Sequence, residues 1–355
     1  MSRTILITAG GTGGHVFPGL AVADAMRAAG WRVVWLGAKT GMEARIVPAH
    51  GYEMAWVRAA ALRGKGLFAA LLLPLHLLVG FWQSARAILA HRPDVVLGLG
   101  GYVAFPGGMM ASLLARPLAV HEQNAIAGLT NRILAGVADR VMVAFPGALK
   151  NAEWTGNPVR ADIAGIPAPD ERFANRNGPL RVLVVGGSLG AQALNEAVPK
   201  ALAQLRAHER PHVVHQSGEK HFESLRAGYA AAGVEGELVP FIDDMARRYA
   251  EADLVICRSG GLTVAELAAV GVGAVLVPLP GAIADEQTQN ARFLVEAGGA
   301  VLIAQAELTP ERLSEFIRGS TRERLRDLAI AARRVGRADA AERVAAACVA
   351  EAERT

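Results

Sequence analysis

A glycine cluster followed by a histidine lies close to the start of the chain. Residues 10–14 read GGTGG, and His15 follows at once. Glycines between a strand and a helix let backbone N–H groups approach a phosphate at the helix N-terminus, where the helix dipole also favours negative charge. Histidine, whose ordinary pKa is about 6.5, can accept a proton near neutral pH. The cluster therefore indicates a phosphate-bearing ligand with His15 as a general base beside it.

The glycine cluster does not match a dinucleotide or nucleoside-triphosphate loop. GGTGGH fits neither GxGxxG nor GxxxxGK[ST], and the second β-type run, RVVWLG, ends without the acidic residue that would hold a dinucleotide ribose. A nicotinamide or flavin is disfavoured, and we expect no cofactor. The glycines could instead serve only a tight turn. Ligand binding is favoured because similar turns follow other β-type runs, and ligands bind where parallel strands end. These turns lie at residues 98–101, 107–108, 186–190 and 260–261.

A second candidate for the base lies in the same half of the chain. Glu122 belongs to HEQN, residues 121–124, and either Glu122 or His15 could take a proton. In the alternative to a catalytic role, His15 donates a hydrogen bond to a phosphate or to a loop carbonyl. The sequence leaves the choice open.

Acidic and cysteine pairs do not indicate a metal site. Asp243 and Asp244 are adjacent, so on a strand they would point to opposite faces, and they predict a helix N-cap with a first-turn charge instead. Cys257 and Cys348 show no metal-ligand spacing, which predicts two buried thiols and a reducing compartment.

The elements that must position these residues alternate along the chain. Short β-branched runs alternate with longer Ala/Leu-rich segments, starting with RTILIT and a helix expected from about Pro18. This alternation predicts a parallel sheet with helices on both faces. The pattern restarts at LRVLVVGG, residues 180–187, after a proline-rich stretch, residues 157–179, that predicts an exposed linker. The fold class is therefore α/β, with two Rossmann-like domains around a cleft. The last helix could pack on either domain.

Composition limits the class of partner. A chain of 355 residues with 52% hydrophobic content can fill two cores. The net charge of +4 is too small to argue for nucleic acid, although it suits an anionic membrane surface or phosphorylated substrates.

An apolar run stands out near residue 70. Leu67 to Trp82 carry no formal charge, with Pro74 and His76 among them. The run is short of the roughly 20 residues that a spanning helix needs. With Arg63 and Lys65 just before it, the run predicts a surface that docks on anionic lipid. The alternative is a core helix kinked by Pro74. The start of the chain lacks the long apolar region of a signal peptide, so we expect a cytoplasmic protein.

Eight motifs resemble one known family, the MurG family of peripheral-membrane glycosyltransferases, in the right order over nearly the whole chain. The motifs are GGTGGHVFPGLAVA (10–23), LRGKG (62–66), GLGGYVAFPGG (98–108), HEQNAIAGLTNR (121–132), GNPVR (156–160), GGSLGA (186–191), FIDDM (241–245) and CRSGGLTVAEL (257–267). The resemblance implies a GT-B fold. It also implies an acceptor- and membrane-binding domain over residues 1–160, with helix 339–355 able to pack back on it, and a UDP-GlcNAc-binding domain over residues 161–338.

The resemblance also implies the substrate contacts. The positions that match the family's donor site are Thr12, Gly13, Gly14, Asn124, Arg160, Ser188, Ile242, Gly261, Leu262, Thr263, Val264, Ala265, Glu266 and Gln287. Arg160 can pair bidentately with a diphosphate, and Glu266 can accept hydrogen bonds from ribose hydroxyls. Ile242 would face the uracil. Around Gln287 the match is loose, so Gln289 is an alternative contact to the sugar. Helix N-termini and Arg160 can carry the charge of the leaving UDP, so no metal is expected.

The activity implied is an inverting transfer of GlcNAc from UDP-GlcNAc to the C4 hydroxyl of the MurNAc unit of undecaprenyl-pyrophosphoryl-MurNAc-pentapeptide (lipid I). The product is lipid II, for peptidoglycan synthesis at the cytoplasmic face of the inner membrane. Other cell-wall assembly proteins are left open as partners. Two alternatives remain at this point, a UDP-GlcNAc 2-epimerase and a non-catalytic nucleotide-sugar sensor. The apolar run favours the transferase over the epimerase, and His15 favours an enzyme over a sensor.

Overall fold

The protein forms two compact α/β units. The computed structural model describes residues 3–58, 73–187, 190–282 and 285–354. The first unit comprises Met1–Arg160 and Asp339–Thr355, and the second comprises Ala161–Ala338. Each unit has one sheet, in which the paired strands run parallel. The predicted α/β class with two Rossmann-like halves is confirmed.

The first unit is a seven-stranded sheet in the order β3-β2-β1-β4-β5-β6-β7 within the described residues. Its strands are β1 (Thr4–Thr8), β2 (Arg32–Gly37), β3 (Glu53–Trp56), β4 (Val95–Gly98), β5 (Leu118–Glu122), β6 (Arg140–Val143) and β7 (Glu153–Trp154). Its helices up to residue 160 are α1 (Gly13–Ala28), α2 (Glu43–Ala49), α3 (Leu73–His91), α4 (Ala104–Leu113) and α5 (Leu129–Leu134). The strand order reverses between β1 and β4, where ligands bind in such sheets.

Side chains alternate across the first sheet and fill a core on each face. Ile5 and Ile7 pack with Trp35 in one cluster, whereas Leu6 packs with Val34 in the other. All these side chains are at least nine-tenths buried. Because successive strand residues point to opposite faces, the apolar run of β1 supplies both cores.

Helix α1 begins five residues before the position that the sequence predicted. The sequence indicated a start near Pro18, but the helix runs from Gly13, with Pro18 inside it. The first turn forms because the N–H groups of His15 and Val16 both donate to the carbonyl of Thr12. Pro18 lacks an N–H donor and crowds the carbonyl of Gly14, but the bonds of the first turn go to the carbonyl of Thr12, so this turn can precede the proline. His15 therefore stands within the first turn.

The second unit is a six-stranded sheet in the order β10-β9-β8-β11-β12-β13 within the described residues. Its strands are β8 (Arg181–Val185), β9 (His212–Gln216), β10 (Glu237–Val239), β11 (Leu254–Cys257), β12 (Gly273–Leu276) and β13 (Ala300–Leu302). Its α-helices are α6 (Ala161–Ala164), α7 (Pro169–Phe173), α8 (Gln192–Ala203), α9 (Phe222–Ala232), α10 (Met245–Glu251), α11 (Gly261–Val270), α12 (Glu286–Glu296), α13 (Pro310–Arg318) and α14 (Arg322–Val335). Short 3-10 turns lie at Ala207–Glu209, Glu219–His221 and Gln305–Glu307.

The proline-rich stretch before β8 is not simply the exposed linker that the sequence predicted. It forms α6 and α7, and Ile163 and Phe173 are buried. Phe173 belongs to the core of the second unit. The prediction of a linker was wrong because proline is also compatible with the start of a helix. Pro169 occupies the first turn of α7, where a missing N–H costs little. The stretch is therefore packed against the unit that follows it.

The last helix, α15 (Ala340–Glu353), packs on the first unit. Val344 and Cys348 are fully buried in the same core as Ile5 and Trp35. The predicted burial of both thiols is confirmed, and burial raises the pKa of Cys257 and of Cys348 to about 12. The chain thus leaves the first unit after Arg160 and returns to complete it.

The apolar run is described from Leu73 onward, as part of α3. Leu75, Leu78 and Trp82 are 58%, 66% and 61% exposed, so the alternative of a core helix is wrong for these residues. Pro74 is the second residue of the described part of this helix. Arg63, Lys65 and the first part of the run lie outside the described residues. Among the described helices, none is long and apolar enough to cross a membrane.

Candidate active site

Two glycine turns of the first unit touch where the strand order reverses. They follow β1 and β4, which are neighbours in the sheet, with Thr8 opposite Gly98. Gly101 has a φ of +78°, and a Cβ atom on it would lie 2.3 Å from the carbonyl oxygen of Gly10. Only glycine suits such a position, because other residues would meet both backbone strain and a backbone atom. The close approach explains why glycine recurs in both turns.

A buried carboxylate accepts a hydrogen bond from the backbone of the first glycine turn. Glu43, the first residue of α2, is fully buried. Its Oε2 accepts from the N–H of Gly11 at 3.1 Å, and its Oε1 accepts from the N–H of Ala38, also at 3.1 Å. Sequence reasoning missed Glu43, because nothing in the local pattern links it to a turn 32 residues earlier. Its role is to fix the backbone that carries Thr12 and His15.

His15 lies beside the second glycine turn and bonds to the end of β5. Its half-buried ring has Nδ1 2.8 Å from Oε1 of Gln123. A Cβ atom on Gly100 would come within 3.2 Å of both the His15 ring and the Asn131 side-chain nitrogen. The His15 ring therefore lies where four segments of the first unit meet. These are the segments that follow β1, β4 and β5, and helix α5.

Glu122 is bound differently from His15. The carboxylate is 1% exposed. Its Oε1 accepts from the backbone and side-chain nitrogens of Asn124 at 2.9 and 3.3 Å, and its Oε2 accepts from Gly128 N at 3.1 Å and Asn131 Nδ2 at 2.8 Å. With both oxygens engaged, the carboxylate ties down the loop that carries Asn124.

In the second unit, a glycine turn follows β8 at the corresponding reversal of strand order. Gln216, at the end of β9, accepts from the N–H of Gly187 at 3.1 Å and donates to the Gly187 carbonyl at 3.0 Å. A Cβ atom on Gly190 would lie 2.2 Å from the Ser217 carbonyl oxygen. Ser188 lies outside the described residues, although the two ends of its turn are fixed by these contacts.

Helix α11 begins directly after β11 and carries Glu266 in its second turn. Gly260 is its N-cap residue, so the free N–H groups of Gly261, Leu262 and Thr263 form a site suited to an anion. Val264 is buried, and Ala265 is half-buried. The hydroxyl of Tyr249 donates to Oε2 of the half-buried Glu266 at 3.1 Å. Sequence reasoning missed this tyrosine, which orients the carboxylate.

The remaining candidate residues are spread over both units. Ile242 is buried and only 6% exposed. Gln287, in α12, accepts from the N–H of Leu279 at 2.9 Å, whereas Gln289 is half-buried on the same helix. Arg160, half-buried, is the last residue before the second unit. Thr12, Gly13, Gly14 and Asn124 gather with His15 in the first unit.

The fold and the glycine turns define the class. Two parallel, doubly wound sheets, each with a glycine turn at its reversal of strand order, make this a GT-B glycosyltransferase. The chain belongs to glycosyltransferase family 28, whose N-terminal domain model matches residues 5–143 and whose C-terminal domain model matches residues 181–344.

Relatives and solved structures agree with this assignment. The chain is 63% identical over 346 residues, 98% of its length and 97% of the relative's, to the UDP-N-acetylglucosamine--N-acetylmuramyl-(pentapeptide) pyrophosphoryl-undecaprenol N-acetylglucosamine transferase of Aromatoleum aromaticum. The crystal structure of MurG from Acinetobacter baumannii is 40% identical, with a TM-score of 0.84 over 98% of this chain and 99% of that one. A UDP-N-acetylglucosamine 2-epimerase structure from Listeria monocytogenes, 18% identical with a TM-score of 0.69 over 100% and 98% of the two chains, shares the fold alone.

Proposed function

We infer that the protein transfers N-acetylglucosamine from UDP-GlcNAc to the MurNAc C4 hydroxyl of lipid I and so makes lipid II for peptidoglycan synthesis. The observation that carries this function is the 63% identity, over 98% of the chain, to a transferase of that name. The epimerase alternative is not favoured, because the epimerase structure is only 18% identical. A non-catalytic sensor is not favoured either, since the relatives are named as transferases.

A labelled-donor assay tests this function. The protein is incubated with radiolabelled UDP-GlcNAc, with and without lipid I, and the lipid and water-soluble products are separated. We expect label in the lipid fraction only when lipid I is present. Conversion of the sugar nucleotide without an acceptor would indicate an epimerase, and binding without turnover would indicate a sensor.

We propose that His15 is the general base. As the C4 oxygen attacks the anomeric carbon, the base takes the hydroxyl proton, a bond forms between that oxygen and C1, and UDP leaves with the electrons of the C1–O bond. Attack opposite the leaving group inverts the anomeric configuration and gives a β-1,4 linkage. Among the described residues the His15 ring has one hydrogen bond, from Nδ1 to Gln123, whereas Glu122 already accepts four hydrogen bonds. This contrast favours His15 over Glu122.

In this proposal the second unit supplies most of the donor contacts, and Arg160 is the last residue of the first unit before it. The N-terminus of α11, Ser188 and Arg160 bind the diphosphate, with the helix dipole favouring its negative charge. Glu266, held by Tyr249, accepts from the ribose hydroxyls, and the backbone of Ile242 meets the uracil. For the sugar we favour Gln289 over Gln287, since the Gln287 side-chain oxygen is already bonded to the Leu279 N–H. Thr12, Gly13, Gly14 and Asn124 contact the donor from the first unit.

We further propose that α3 docks the protein on the cytoplasmic face of the membrane that carries lipid I. Leu75, Leu78 and Trp82 recur at helical spacing and are more than half exposed. Arg86 continues the surface, with its guanidinium 5.8 Å from the Trp82 ring centroid. Apolar side chains beside a cation suit an interface between acyl chains and anionic headgroups.

Vesicle sedimentation tests the docking surface. Replacing Leu75, Leu78 and Trp82 by Ser should reduce binding to anionic vesicles by about 10-fold or more, because three large side chains no longer enter the interface. UDP affinity should stay unchanged, and salt should release part of the wild-type protein. The matched control replaces Leu129, Ile133 and Val137, which are 65%, 43% and 40% exposed in the same unit. Equal losses in the two triple variants would contradict docking through α3.

A further inference from the structure

A chain of hydrogen bonds runs from His15 into the interior of the first unit. Nδ1 of His15 lies 2.8 Å from Oε1 of Gln123. Nε2 of Gln123 lies 2.7 Å from the carbonyl oxygen of His121 and 3.1 Å from Nδ1 of His121. Nε2 of His121 lies 2.8 Å from the carbonyl oxygen of Gly156. His121 and Gln123 are 0% and 1% exposed, so bulk water does not reach their side chains.

The His121 carbonyl fixes the orientation of the Gln123 amide. A carbonyl oxygen can only accept a hydrogen bond, so the side-chain atom 2.7 Å from it must be the NH2 group. The other side-chain atom, which faces His15, is then the amide oxygen. Because this oxygen can only accept, Nδ1 of His15 must carry the hydrogen.

The hydrogen bonds of His121, at the other end of this series, are consistent with the same orientation of the Gln123 amide. Nε2 of His121 must be protonated, since its partner is the Gly156 carbonyl. Burial lowers the pKa of His121 to about 4, so the ring is neutral near pH 7 and its Nδ1 is an acceptor. That nitrogen receives the second hydrogen of the Gln123 amide. Every group in the chain therefore has a consistent donor or acceptor role.

We propose that Gln123 and His121 are positioning residues that hold His15 as its Nδ1–H tautomer and so keep Nε2 as the proton-accepting atom. The catalytic part of this proposal rests on His15 as the general base. The opposite tautomer would carry hydrogen on Nε2 and could not take the hydroxyl proton there. An amide sets the tautomer without adding a charge beside the ring, and it is oriented in turn by His121.

Nitrogen-15 NMR of the histidine rings tests the tautomer directly. Spectra of the full chain at about pH 8 are assigned for His15 by comparison with His15→Asn, and for His121 with His121→Asn. We expect the wild-type His15 pattern to show hydrogen on Nδ1. In Gln123→Met, which keeps the side-chain length but loses both amide groups, the pattern should move toward the Nε2–H form that free histidine prefers. Hydrogen on Nε2 in the wild type, or an unchanged tautomer in Gln123→Met, would overturn the proposal. The wild-type measurement does not depend on whether Gln123→Met folds.

Kinetics separates this positioning role from the base itself. Gln123→Met should lower kcat by about 10- to 100-fold, the size of the loss seen when the partner that orients a metal-bound histidine is removed, with the donor KM within about 2-fold of wild type. A Gln123→Met variant whose loss lies mainly in the donor KM would overturn the positioning role. If the tautomer changes in Gln123→Met while kcat does not, His15 is not the base.

Discussion

Glu43, Glu122 and Gln123 each use a buried side chain to hold a backbone segment of the first unit. Glu43 binds the first glycine turn, Glu122 binds the loop after β5, and Gln123 binds the His121 carbonyl. Each is at most 1% exposed, so its partners would lose an acceptor or donor that water could not supply. A buried unpaired N–H costs about 1–3 kcal/mol. At the residue scale, these polar side chains therefore support the site through the backbone and do not need to meet the substrate.

Replacing the proposed base should separate catalysis from binding. We expect His15→Ala to lower kcat by about 10²- to 10⁴-fold, because general-base catalysis contributes about that much, and to leave the donor KM nearly unchanged. A base works only when deprotonated, so the wild-type rate should fall at low pH, and the variant should lose that acidic limb. Steady-state rates at saturating lipid I from pH 5 to 9 measure both effects.

His208→Ala is the control for His15→Ala, since His208 is exposed in the second unit. Glu122→Gln tests the rival base with little change in size. The assignment to His15 is contradicted if Glu122→Gln loses the acidic limb in a folded protein while His15→Ala mainly raises the KM for lipid I.

Glu266 should set the affinity for the donor and its selectivity for ribose. Glu266→Ala should raise the KM for UDP-GlcNAc by about 10-fold or more, because hydrogen bonds to charged groups contribute about 1.5–3 kcal/mol. Wild type should reject the 2'-deoxyribose analogue, which lacks a hydroxyl that donates to the carboxylate, whereas the variant should not. Tyr249→Phe keeps the carboxylate and should have a smaller effect. A Glu266→Ala enzyme with wild-type KM and selectivity would contradict the ribose contact.

At the scale of elements, the turns after β1 and β4 are joined by backbone contact. The Gly101 position combines a φ of +78° with the carbonyl of Gly10 at 2.3 Å from the site of a Cβ atom. Gly51 has the same φ of +78°, but a Cβ atom there would meet nothing within 4 Å. The two positions therefore share the backbone strain of a substitution and differ in the steric contact.

This pair of glycines gives a stability prediction. Gly51→Ala should lower the free energy of unfolding by about 1 kcal/mol, the cost of the left-handed conformation. Gly101→Ala should lower it by about 3–5 kcal/mol, because the turns must also separate. Urea unfolding followed by tryptophan fluorescence measures both values. Equal decreases in the free energy of unfolding for Gly51→Ala and Gly101→Ala would show that the two turns can move apart at no cost.

The sequence predicts elements better than it predicts the contacts between them. The alternation of β-branched and Ala/Leu-rich runs predicts both sheets, since it reflects burial on both faces. It places α1 too late and takes α6 and α7 for linker, because proline is compatible with a first helical turn as well as with a loop. It predicts His15 and Glu122 as candidates from their types alone. It does not predict that Gln123 meets a ring 108 residues away, because such contacts depend on how the strands are arranged.

On the scale of the whole molecule, the first unit is assembled from two separate parts of the chain. Residues 1–160 supply the sheet, and α15 covers one of its faces with Val344 and Cys348. The five tryptophans of the chain are Trp31, Trp35, Trp56, Trp82 and Trp154. All of them belong to the first unit. Tryptophan fluorescence therefore reports on that unit alone, whereas circular dichroism reports on both.

A charge placed under the last helix should unfold one unit selectively. Val344 is 0% exposed, so Val344→Asp should cost more than about 4 kcal/mol by burying an unpaired carboxylate. We expect the fluorescence transition to move to much lower urea, with a second transition near the wild-type position visible only by circular dichroism. Arg343→Ala, on the exposed side of the same helix, should change stability by less than about 0.5 kcal/mol. A single transition shifted equally in both signals would contradict independent units.

Because α15 belongs to the first unit, this unit cannot be completed until the second unit has been synthesised. The ribosome makes residues 1–160 first, yet α15 emerges only after the entire second unit, Ala161–Ala338, has been translated. At about 5–20 residues per second, that interval is roughly 10–35 s. During this interval α15 is absent, and the sheet face that it will cover is exposed. Val95 and Leu97 belong to the core on that face. The nascent first unit should therefore be a substrate for chaperones that bind exposed apolar surface, and it reaches its native state only when α15 has left the ribosome.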